Sequence, residues 1–179
     1  VVAVRLGVEV LFLAVDSAGV LAWRARSIDL DDASDPDEAA WAIVRSVGGT
    51  LSHSTSWRWD GERVVLTYAT VLPALADEEF EALPEPAIVG SHDVTHPRPR
   101  VVHGHHVAAH AIQHLADLAR RDPVVRAASQ RAETVDVWRA ILAVAGDIPT
   151  DSHLRAHREA HAAFADRVHH DPGTREERS

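Results

Sequence analysis

Three histidines, His106, His110 and His114, recur at every fourth position. That interval stacks side chains along one face of an α-helix. Neutral imidazoles spaced in this way can chelate a single transition-metal ion such as zinc. His103 and His105 stand just before them, and His92 and His96 further upstream could complete a ligand set. Two features weigh the other way. No HExxH-type carboxylate accompanies the helix, and His153, His157 and His161 repeat the same spacing on a polar stretch. With 13 histidines in the chain, composition explains much of the pattern, the rings being satisfied by backbone or carboxylate groups. A pH-sensitive helix face is a further reading.

A second constellation joins aromatic rings to guanidinium groups. Trp23, Trp57 and Trp59, with Arg24, Arg26 and Arg58, could line a cleft for a nucleotide-like or other small anionic ligand. Stacking and bidentate contacts would hold it, with Arg24, Arg26, Trp57 and Trp59 as the candidate contacts. Cross-strand packing of the tryptophans competes with this reading. Asp29, Asp31, Asp32 and Asp35 crowd one loop without the spacing of a calcium loop, and Ser54-Thr55-Ser56 beside His53 lacks a nucleophile elbow. No catalytic residue is assigned.

Composition narrows the classes further. The chain of 179 residues carries a formal charge of -9, which argues against a general nucleic-acid binder and against docking on anionic membranes. There is no cysteine, hence no disulfide framework, thiolate metal site or cysteine nucleophile. There is no lysine either, which excludes lysine Schiff-base chemistry and a phosphate-binding P-loop lysine. No apolar run reaches membrane-spanning length, and residues 1–15 lack a signal-peptide layout. A cytoplasmic location is the expectation.

These residues need elements to position them. Val2, Val4, Leu6, Val8 and Val10 alternate with polar or small residues, and the run stays apolar through Val15, predicting a strand that becomes fully buried. Asp16-Ser17-Ala18-Gly19 turns the chain into a return strand over 20–26, and 27–36 reads as an acidic irregular loop. Asp35 can cap a helix with Pro36 at its first position and Asp37 and Glu38 in its first turn. Ala40, Ile43, Val44 and Val47 form its apolar stripe, and Gly48-Gly49 stops it. A second hairpin follows, 51–59 and 64–72, turned by Asp60-Gly61. A short acidic helix is predicted over 74–83 and a loop over 87–100. Helices are predicted over 107–121, 123–129 and 133–144, closed by Gly146 and Pro149, and a polar helix over 154–169.

The order strand, strand, acidic loop, helix, glycine stop, hairpin resembles the Nudix hydrolase fold. The residues from Glu38 to Gly49, EAAWAIVRSVGG, have the length and closing glycine of that family's catalytic helix, whose form is EAAxRELxEETG. The strand VLAWRAR before it is also similar to the family's second strand. The likeness covers about the first third of the chain, and it implies a mixed sheet around a central helix. The family's catalytic set does not carry over. Its arginine falls on Ala42, the following glutamate on Ile43, and its two metal-binding glutamates on Ser46 and Val47; after the opening Glu38-Ala39-Ala40, only Val44 and Gly49 match. Hard divalent cations on a pyrophosphate need several carboxylate oxygens. Pyrophosphohydrolase activity of this type is therefore predicted to be absent.

The sequence thus predicts an α+β protein: a Nudix-like mixed sheet of two hairpins around a central helix over 1–100, a helical extension packed on it over 101–150, and a polar helix and tail over 151–179. Its expected role is non-catalytic binding or interaction on a degenerate scaffold, with no cofactor. The partner would be a small anionic ligand, another protein or a second copy of the chain. The alternative is a metal-binding protein or metal-dependent enzyme that holds a divalent transition metal such as zinc on His106, His110 and His114.

Overall fold

Unbroken burial from Gly7 to Ala14 makes the strand Arg5–Val15 (β1) the spine of the molecule. It pairs antiparallel with Leu21–Leu30 (β2) across the turn at Asp16, whose carboxylate accepts the Ala18 and Val20 amides at 2.8 Å. On its other side it pairs in parallel with Arg63–Val71 (β4), which in turn pairs antiparallel with His53–Trp59 (β3). The two-residue strand Glu81–Ala82 (β5) completes a five-stranded mixed sheet in the order β3-β4-β1-β2-β5. The helices are Pro36–Ser46 (α1), Gly104–Arg121 (α2), Pro123–Ser129 (α3) and Val135–Asp147 (α4). The structure, a computed structural model, describes residues 4–31, 33–74, 80–83, 88 and 101–148.

The predicted α+β class and mixed sheet are what the chain forms. Three local expectations are corrected. Residues 27–30, read as loop from their acidity, extend β2, because Asp29 projects to Arg63 and Arg5 while Ile28 and Leu30 pack beside the α1 core. Glu81 and Ala82, read as helix, pair with Trp23 and Ala22 of β2. Gly146 lies inside α4 rather than closing it. The predicted helix over 154–169 and most of the loop over 87–100 lie outside the described residues.

Strand periodicity sorts the core into two layers. Val8, Val10, Phe12 and Ala14 of β1 meet Ala40, Ile43 and Val44 of α1. Leu11 and Leu13 face the opposite way, with Trp23, Ala69 and Val71, against α2 and α4. Fully burying a residue such as Phe12 or Leu13 contributes about 1.5–3 kcal/mol, so this row holds both helical layers to one strand.

Local chemistry fixes where the helices begin and end. Asp35 caps α1 by accepting the Asp37 and Glu38 amides at 2.8 and 3.2 Å, as its sequence position predicts. Asp122 does the same for α3 through Val124 and Val125. Gly48, at φ +74°, provides the left-handed residue that ends α1. At Gly104 the need is space: a Cβ there would lie 2.5 Å from the Trp23 ring, so glycine lets the start of α2 settle on the sheet.

Candidate functional site

α1, which the family resemblance would make the catalytic helix, is a packing element. Of the positions that would need carboxylates or arginine, Ile43 is buried in the α1 core and Val47 is half-buried beside it. Ala42 and Ser46 are exposed, and the Ser46 hydroxyl donates to the Ile43 carbonyl at 2.7 Å. This donor set does not fit a hard divalent cation, which requires several converging oxygens. The first-turn acids have other work. The Tyr68 hydroxyl donates to Asp37, and burial followed by that hydrogen bond pushes the phenol pKa above its ordinary value. The crowded carboxylates upstream also disperse. Asp29 takes Arg63 and Arg5, Asp31 takes Ser34, and Asp35 caps α1, while Asp32 lies outside the described residues.

Arg24, Arg26, Trp57 and Trp59 all sit on the α1 side of the sheet but do not converge. Register places Arg24 opposite Phe12 and Arg26 opposite Val10, on β2, whereas Trp57 and Trp59 lie opposite Leu66 and Val64, on β3. With β4 and β1 between them, the two groups are three strand spacings apart, about 14 Å. The Arg24 guanidinium stacks between the Phe12 and Phe80 rings, 5.0 and 5.1 Å from their centroids, which binds it into the core edge. Arg26 is exposed. Trp57 and Trp59 are 61% and 45% exposed, so they are the large aromatic surface this face presents. Trp23 points to the other layer and is buried there. Arg58 also points there.

On that opposite face the histidines divide into two groups. His103, His105 and His106 cluster at the start of α2, with His105 and His106 rings edge to face at 4.1 Å, and the His103 amide donates to His106 Nδ1 at 3.2 Å. His114 lies two turns on, about 12 Å along the helix from His106. It stacks instead on His53 of β3, with centroids 5.3 Å apart. His110 stands one turn before His114. The His53 pKa is held below the ordinary imidazole value by burial and then by His114, with Asp122 pulling weakly the other way. Desolvation and His114 lower that of His110. Desolvation, His105 and His103 lower that of His106. Among the described residues no group of three or more His, Asp or Glu side chains is arranged to hold a metal ion. His92 and His96 lie outside those residues.

The sequence reading missed two partnerships. His53 was passed over because its partner comes from a distant helix. The other is a half-buried ion pair: Arg58 grips Glu9 through both terminal nitrogens at 2.7 and 2.8 Å, and also donates to the Thr67 hydroxyl at 3.0 Å. Glu9 is only 9% exposed. Its one signal in the sequence is a carboxylate in an otherwise burying strand.

Compared with protein-family models and with curated proteins, the chain matches none. Among the described residues no helix is long and apolar enough to cross a membrane.

Proposed function

We propose that the protein is a non-catalytic binding or interaction protein on a degenerate Nudix-like scaffold. The observation that carries this reading is α1: Ile43 and Val47 pack where the chemistry of such a helix would need oxygen ligands. The exposed Trp57 and Trp59, side by side on β3, support stacking of a small anionic, nucleotide-like ligand or contact with a partner. Arg24 belongs to the aromatic stack and is not assigned to the ligand. The experiment has two arms. Nucleoside diphosphate derivatives incubated with the protein and Mg²⁺ or Mn²⁺ are expected to remain intact. ADP is expected to bind in calorimetry and to bind more weakly to Trp59→Ala. Metal-dependent hydrolysis that disappears when Asp37 and Glu38 are replaced would overturn the reading.

The histidine face supports a second reading, a bound transition metal such as zinc. The observation in its favour is that the fold lays His53 on His114, one turn after His110. The rings must rotate out of their stack to chelate, so it ranks below the first. Purified, tag-free protein equilibrated with Zn²⁺ and dialysed would retain one equivalent if this reading holds, and only trace zinc if it fails.

A further inference from the structure

The helical layer contains a groove that no local residue pattern marks. It lies where α2, α3 and α4 meet and has a cavity volume of about 390 Å³, within the range of small-molecule sites. Its floor is apolar: Trp138, which is 2% exposed, with Val135, Ala119 and Leu142. Its rim carries Arg120, Arg126 and Arg139 beside Ser129 and Gln130. The surroundings are slightly cationic in an acidic protein, since residues 117–139 hold five arginines against four carboxylates while the whole chain stands at -9.

The rim is also preorganised. Arg126 donates to the Ala119 and Arg120 carbonyls at the end of α2, which fixes its stem across the α2–α3 elbow. A guanidinium has five donors, so this leaves others for a ligand. Arg120 and Arg139 meet Asp117 and Asp136 of their own helices at 3.3 and 2.6 Å in exposed pairs, which are weak enough for a bound anion to replace. Ordering the Arg126 side chain beforehand lowers the entropy lost when an anion binds.

We propose that this groove is a binding site for a small aryl carboxylate, with its ring on Trp138 and Leu142 and its carboxylate among Arg126, Arg139 and Arg120. A neutral aromatic would gain only the floor. A small inorganic anion would gain only the rim and would meet competition from solvent. The combination selects an anion with a flat apolar body. The site is made entirely by α2, α3 and α4, so it does not depend on the α1 reading above.

The test uses the full chain, ¹⁵N-labelled, titrated with 2-naphthoate and separately with 2-naphthamide, its neutral isostere. The acid is expected to shift resonances of residues 119–142, the Trp138 indole N–H among them, with a dissociation constant of about 1 mM or tighter. The amide is expected to bind about tenfold more weakly. Arg139→Gln, whose side chain is 72% exposed, should weaken the acid and leave the amide unchanged. Leu142→Glu should abolish both, and because Leu142 is already 37% exposed the fold is expected to survive it. Equal affinity for acid and amide, shifts confined to other regions, or insensitivity to both substitutions would overturn the proposal. So would concentration-dependent self-association lost in Leu142→Glu, which would make a second copy the occupant.

Discussion

The two faces of the sheet use the same strand in opposite ways. Toward α1, β1 offers Val8, Val10, Phe12 and Ala14, and one amphipathic helix closes a mostly apolar layer that also buries Thr70. Toward α2 and α4, the same strand offers Leu11 and Leu13 at one end and Glu9 at the other, so this layer changes from packed core to a bidentate ion pair along its length. Most of the interacting polar chemistry follows the second face: Glu9 with Arg58 and Thr67, the His53–His114 stack, and the arginine-rimmed groove outside α2. On the first face the polar groups that matter cap, brace or stack: Asp35, Tyr68 with Asp37, and Arg24 between two phenylalanines. α1, whose length and closing glycine resemble those of a catalytic helix, is built by its own sequence for packing.

The difference between the faces can be broken at Glu9. Glu9→Ala takes the carboxylate from the half-buried Arg58 guanidinium and is expected to cost about 3 kcal/mol in chemical denaturation. The double replacement Glu9→Leu with Arg58→Met should recover most of that, because it removes both charges. A recovery no greater than either single variant would mean the pair is not the unit it looks to be. On the α1 face, Ile43→Glu places an uncompensated carboxylate in the core and should cost about 3 kcal/mol or more. Were Ile43→Glu tolerated, α1 would not be the packing helix described above.

The histidine seam distinguishes the faces by pH. In the unfolded chain His53 and His110 protonate near the ordinary value of 6.5. In the folded chain both are depressed, so the folded state binds fewer protons. The contribution of the neutral rings is fully present above that value and is lost as pH falls through it toward the folded pKa values. The melting temperature is expected to drop between pH 7.5 and 5.5, and less so in His53→Gln. An unchanged pH profile in that variant would remove the seam from the account.

Smaller effects sharpen the picture. Asp35→Ala removes the cap of α1 and should cost about 1 kcal/mol by thermal or chemical melting. Ser46→Glu, on the exposed side of the same helix, should change stability by about 0.5 kcal/mol or less. The contrast between Ser46→Glu and Ile43→Glu is the cleanest measure of which side of α1 faces the core.

Much of this organisation is local and was therefore legible in the residues. Asp35-Pro36 and Gly48 bound α1 because capping is decided within one turn. The period-two run of β1 and the Asp60-Gly61 turn needed no distant partner. The PVVRAAS helix after Asp122 was read with its full extent for the same reason. The helical reading of 74–83 failed at Glu81 and Ala82 because two residues become strand only when β2 offers an edge. Residues 27–30 were read as loop because their acidity was visible and the arginines that receive Asp29 were not.

Sequence alone determined the class of fold, the ends of α1, and the lack of carboxylates at Ile43, Ser46 and Val47. Tertiary structure alone decided which side chains meet. Parallel pairing of β1 with β4 puts Glu9 beside Thr67 and within reach of Arg58, and places Arg24 and Trp57 on strands too far apart to share one ligand. It also gives His114 to His53 rather than to His106. The physical reason is range: caps and turns are settled by neighbours in the chain, whereas an ion pair or a ring stack depends on register and on layers that the whole sheet must form first.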